Sequence, residues 1–360
     1  MGKSSIFTWK VHFEPSDTYS STKELEKGIM AQPCENHRTR FAFIDIAKGI
    51  GIILVVCSHV HAPLMSWAAP FFVPLFFIVS GYCTYHMVNI GSKFKKLMLP
   101  YVLFTLLLLI AHLDFKSINF IGAIYSRWSL YPLGTEPNIY FLQAGNAPLW
   151  FLTSMFVAFC LYKLIQSSRH PWPLIVSYLV VTYLLTFLPV LLPWSIDTAF
   201  LMAVFIYAGA FVREKKLLDR LSILVFIGLA YVYVALTIYC GNINLSVRDY
   251  GTSLLLLIPA AIIGSVLLMK LSMLIDGMFV GNLLQRIGIH SLPLFCLHRP
   301  FVHFMERLLS TLPFTLPPII NHILIIVLVL AITYPIALAS DKLLDKATEL
   351  LKDRKKTINA

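Results

Sequence analysis

The sequence predicts an all-α membrane protein: a bundle of about ten transmembrane helices with both termini in the cytoplasm. Three observations predict it. Of the 360 residues, 58% are hydrophobic and only 13% charged, and the mean hydropathy is +0.76. Such a composition cannot cover a water-facing globule. The apolar residues gather into runs close to the ~20 residues that cross the hydrocarbon core. Lys and Arg fall mainly between alternate runs, as cytoplasmic loops of a multi-pass protein require.

The runs place spans near residues 41–62, 68–90, 97–113, 148–166, 172–191, 198–212, 221–240, 252–270, 287–308 and 319–340. With the N-terminus inside, the inner segments hold all of the 29 Lys and Arg except Lys48, Lys116, Arg127, Arg248, Arg299 and Arg307. The chain then divides into a partly disordered cytoplasmic extension (1–40), a transmembrane domain (41–340) and a basic cytoplasmic tail (341–360). Residues 1–40 are polar and contain no apolar run of the signal-peptide kind. The formal net charge of +11 is spread in short clusters, so it reads as a topology signal and excludes a nucleic-acid patch. The six cysteines have no metal-ligand or redox spacing, and no metal is expected. The external connection 114–147 carries Trp128, Tyr131 and Tyr140, which suit either a sugar-binding lid or a loop lying on the interface.

The first span is the most informative. It holds Asp45, Lys48 and His59 in an otherwise apolar helix, where an ionisable group costs ~2.5–3.5 kcal/mol unless it lines a polar interior. At 3.6 residues per turn the three share one face within about 60°, while Asp45 and His59 stand roughly 21 Å apart along the axis. Asp45 therefore cannot orient the imidazole. Asp45 and Lys48 form either a local i, i+3 pair or the charged inner mouth of a passage, and His59 is either a bonded core histidine or a reactive group near the outer end.

Asp45-x2-Lys48-x10-His59, followed by Pro74-Leu-Phe-Phe-Ile-Val-Ser80-Gly81, resembles the start of the acyltransferase-3 family, in particular its fucose-4-O-acetylase-like members. Lys95-Lys96-x3-Pro100-Tyr101, Pro148-Leu-Trp150-Phe-Leu, Asp197 with Phe205 and Gly209, and Ile287-Gly288-Ile-His-Ser291-Leu-x4-Leu297-His298 resemble later family segments in order. The family commonly has Arg where Lys48 stands and Arg in the segment entering the third span, so the lysines here offer point charges instead of bidentate forks.

The resemblance implies a bacterial inner-membrane O-acetyltransferase that moves acetyl from acetyl-CoA to a hydroxyl of a surface polysaccharide or an undecaprenyl-linked glycan. His59 is then the general base, or a transient acyl carrier, with His298 as second catalytic group. Asp45, Lys48, Lys95 and Lys96 form the candidate donor-binding set, although Lys95 and Lys96 also suit a plain topology signal. Trp150, Arg299 and Ser80 are candidate acceptor contacts, with interfacial anchoring for Trp150 and helix packing for Ser80 as the alternatives. From the residues alone, a transporter or flippase of a polar solute or lipid-linked sugar is the rival reading, because transporters also bury charges.

Overall fold

The computed structural model describes residues 41–63, 65–112, 116–141, 147–313 and 316–358; the expected extension 1–40 lies outside them. Among the described residues the chain is helical, with two isolated β-bridges and no strand. The helices are α1 (Ala42–His59), α2 (Pro74–Cys83), α3 (Ile90–His112), α4 (Ser117–Tyr125), α5 (Trp150–Ser167), α6 (Pro171–Leu185), α7 (Ile196–Glu214), α8 (Ile223–Cys240), α9 (Leu254–Leu274), α10 (Phe279–Ile289), α11 (Ser291–Ser310) and α12 (Pro318–Ile358), with four-residue helices at Met65–Ala68 and Leu217–Arg220.

Six of the helices are long and apolar enough to cross a membrane: α1, α5, the stretch Pro193–Glu214 that contains α7, α8, α9 and α12. The other four expected spans also contain helices. Two are short, α2 with 10 residues and α6 with 15. Two are longer but charged, α3 with Lys93, Lys95 and Lys96 near its start, and α11 with Arg299, Glu306 and Arg307. Part of the expected external loop is helical, as α4. The expected tail continues α12 without a break, in keeping with the absence of Gly and Pro from residues 341–358.

The molecule is arranged inside out relative to a water-soluble protein. Ile, Leu, Val and Phe are exposed along α3, α6, α8 and α12, while Asp45, Thr153, Ser154, Asp197, Thr198, Ser265, His298 and Thr333 are buried. That is the arrangement lipid selects, because polar groups must find partners within the bundle. Thr182, Ser272 and Thr333 meet the requirement by donating to carbonyls one turn back.

Helix α1 is central and packs on α2, α9, α10 and α11; α2 packs on α7, and α7 on α5 and α6. Two glycine contacts set the closest crossings. A Cβ on Gly288 of α10 would collide with the Asp45 carbonyl of α1, and one on Gly49 with the Leu284 carbonyl. Gly81 and Gly209 likewise bring the backbones of α2 and α7 together, each against a carbonyl of the other helix. Small residues are what permit such approach where dispersion and not water drives association.

Candidate active site

The C-terminal end of α1 delivers His59 to α11, which contributes His298 and Arg299. The two imidazoles face each other with centroids 4.9 Å apart and planes tilted by 36°. Arg299 Nη1 lies 3.4 Å from the His59 carbonyl and donates to it. His298 is 1% exposed, whereas His59 is only partly buried.

The backbone sets the state of His298. Its Nδ1 is 2.8 Å from the Phe295 carbonyl, an atom that only accepts, so Nδ1 carries the proton and Nε2 of the neutral ring presents a lone pair. Nε2 is buried and has no hydrogen-bond partner among the described residues. The bonded carbonyl is not the one Pro300 displaces from helical pairing, which by i−4 geometry is that of Cys296. Beside the pair lies an aromatic wall: Phe295 is 5.8 Å from His298, Phe151 is 4.5 Å from Phe295, and Phe76 is 6.0 Å from Phe295.

At the other end of α1, Lys48 Nζ lies 2.6 Å from Asp45 Oδ1, forming the i, i+3 pair. Asp45 is buried and Lys48 partly exposed. Lys93 of α3 donates to Thr84 Oγ1 at 2.9 Å and stands 3.7 Å from the Phe159 ring centre. Arg213 of α7 lies over Phe41 at 4.2 Å and near Tyr82 at 4.9 Å and Tyr85 at 5.3 Å. Lys48, Lys93 and Arg213, from three helices, each lie within electrostatic reach of Cys83 at the end of α2, as does Asp45.

The structure thus joins His59, His298 and Arg299 in one place and Asp45 with Lys48 in another. Lys95 and Lys96 are exposed on α3, and Lys93 is the lysine of that turn directed inward. Ser80 Oγ points at Met155 Sδ, 3.8 Å away, in the tight α2–α7–α5 region. Trp150 is 6% exposed and meets Phe151 edge-on at 6.3 Å, one ring removed from Phe295. Trp128 and Tyr140 of the external connection stack on each other at 6.0 Å.

Sequence reasoning missed one buried cluster. Asp197, at the start of α7, pairs through Oδ1 with Arg127 Nη2, and its Oδ2 lies 3.4 Å from Arg248 Nε. Arg127 also donates to the carbonyls of Leu192 and Ser246, and Arg248 to those of Leu185 and Leu188. The Asp197 carboxylate accepts from the backbone N–H groups of Leu192 and Thr198. Arg127 and Arg248 were two of the few cations outside the inner segments, and that misplacement was the available signal.

An all-helical bundle with lipid-compatible outer faces, six helices able to cross a membrane and imidazoles and ion pairs inside is a multi-pass membrane protein. The chain belongs to the acyltransferase-3 family: the family's model, described as an acyltransferase domain, matches residues 41–338. It is therefore a membrane acyltransferase. The match reaches the family and not the fucose-4-O-acetylase-like subgroup. No curated protein matches the chain.

Proposed function

We propose that this acyltransferase moves an acetyl group from acetyl-CoA to a sugar hydroxyl of a surface glycan or its lipid-linked precursor. The observation that carries the reading is the buried, unpartnered Nε2 of His298, on a ring whose centre lies 4.9 Å from that of His59. A buried acceptor costs about 1–3 kcal/mol when left unbonded, and an incoming hydroxyl is the partner that relieves it. Partly exposed His59 takes the hydroxyl proton, and His298 Nε2 accepts a hydrogen bond that holds the acceptor.

The freed oxygen attacks the thioester carbonyl, the C–S bond breaks, and the proton passes to the departing CoA sulfur. Arg299 is close enough to the pair to meet negative charge developing on the carbonyl oxygen. Lys48, Lys93 and Arg213 supply cations for the CoA phosphates, and the rings around Arg213 offer a face for adenine. Roughly 21 Å of α1 separates this end from His59, a span that an extended pantetheine arm is suited to cross.

The test is purified protein with radiolabelled acetyl-CoA and a pool of cell-envelope glycans, following CoA release and labelled glycan together. Label that disappears in His59→Ala supports the proposal. Folded wild-type protein that leaves acetyl-CoA intact across the pool would overturn acetyl as the group transferred, and other acyl-CoA donors would then be compared.

A further inference from the structure

We propose that the cleft between α7 and α8 is a binding site for one anionic phospholipid, its tail in the cleft and its phosphate at Arg220. A cavity of about 520 Å³ opens between these helices, floored by α9 and flanked by α6. Trp172, Tyr207, Phe211, Val225, Leu229 and Ile262 line it, and Arg220 is its charged lining residue. None of these residues belongs to the imidazole pair or to the cationic end of α1, so the proposal stands independently of the acyl-transfer reading.

Three features select the occupant. First, the walls are almost wholly apolar, and an apolar cavity stays dry. In a bilayer its filling is hydrocarbon. Second, the lining runs from Val212 to Val204 along α7, faced by Leu221 just before α8 and by Val225 and Leu229 of α8. Eight residues of helix cover ~12 Å, close to the ~15 Å hydrocarbon depth of one leaflet. A tail entering from one membrane face is matched by this depth.

Third, the charge lies at one end. Arg220 closes the short helix Leu217–Arg220, and exposed Lys216 immediately precedes that helix. Lys270 donates to the Leu218 carbonyl at 2.8 Å and ties this turn to α9. Lys215, by contrast, is engaged by Glu214 at 2.7 Å. A guanidinium at the mouth of a tail-deep apolar slot fits a phosphate with a net negative charge, and it favours phosphatidylglycerol over zwitterionic phosphatidylcholine.

Native mass spectrometry of the full-length protein, released from micelles supplied with equal amounts of dioleoyl-phosphatidylglycerol and dioleoyl-phosphatidylcholine, tests this. Wild type should retain phosphatidylglycerol in preference. Arg220→Gln, a surface change, should cut that retention about five-fold with the phosphatidylcholine signal and the thermal midpoint unchanged. Ala208→Phe, which narrows the cleft, should lower both adducts. Equal retention of the two lipids, phosphatidylglycerol retention indifferent to Arg220→Gln, or a protein dimer in place of the lipid adduct would each overturn the proposal.

Discussion

At the Arg127–Asp197–Arg248 cluster each charged group has partners: four backbone carbonyls and one carboxylate surround the two guanidinium groups. At the His59–His298 pair a nitrogen almost as deeply buried has none. Both sites are expensive to build in a lipid-surrounded bundle, so the difference is informative. A network of paired charges, in which Arg248 Nε meets Asp197 as an ion pair without a hydrogen bond, serves architecture and joins the connection after α4, the start of α7 and the 245–250 loop. An unpartnered imidazole nitrogen keeps a lone pair available to something that arrives from outside.

Perturbing each site should separate the two roles. The largest effect is expected for His59→Ala: acetyl transfer falls by about 10²–10⁴-fold while the thermal midpoint of the purified protein is retained. Transfer at wild-type rate would remove His59 from the chemistry. Asp197→Ala should act in the opposite sense, leaving two buried cations uncompensated and lowering stability by ~3–5 kcal/mol, read as loss of folded protein on heating in detergent. A stable Asp197→Ala protein would show that the carbonyls alone hold the arginines.

Smaller effects sharpen the comparison. Gly288→Ala drives a methyl group into the α1 backbone at Asp45 and should cost ~1–3 kcal/mol, visible as a lowered thermal midpoint. Lys48→Met removes a cation beside buried Asp45, and the KM for acetyl-CoA should rise about tenfold with kcat little changed. Lys95→Ala, at an exposed position, should change stability by less than about 0.5 kcal/mol and leave that KM alone. A KM effect at Lys95 as large as at Lys48 would return the outer lysines of α3 to the donor site.

The reach of the sequence can be traced through these same residues. The helical period put Asp45, Lys48 and His59 on one face, and the family resemblance named His59 and His298 together as candidate catalytic groups, because each signal is local or lies in a matched motif. Arg127, Asp197 and Arg248 were not linked, since their partners lie 51 to 70 residues apart and no helical period connects them. Lys93 was passed over in favour of Lys95 and Lys96 because composition cannot say which lysine of a turn points inward. Arg213 was read as a topology charge, and its aromatic surroundings come from two separate segments, the start of α1 and the end of α2. The helix ends were the hardest to read. Hydropathy alone did not separate the 10-residue α2 from a full span, because apolar turns on either side extended the run.

The last helix reaches further than the membrane it crosses. Forty-one residues make a rod of ~62 Å, about twice the ~30 Å hydrocarbon thickness. Even a steep tilt leaves part of it standing in water. Asp341 grips His290 at the junction of α10 and α11, and the apolar part of the rod lies against α11. The protruding end is therefore tied, through Asp341 and His290, to the start of the helix that holds His298.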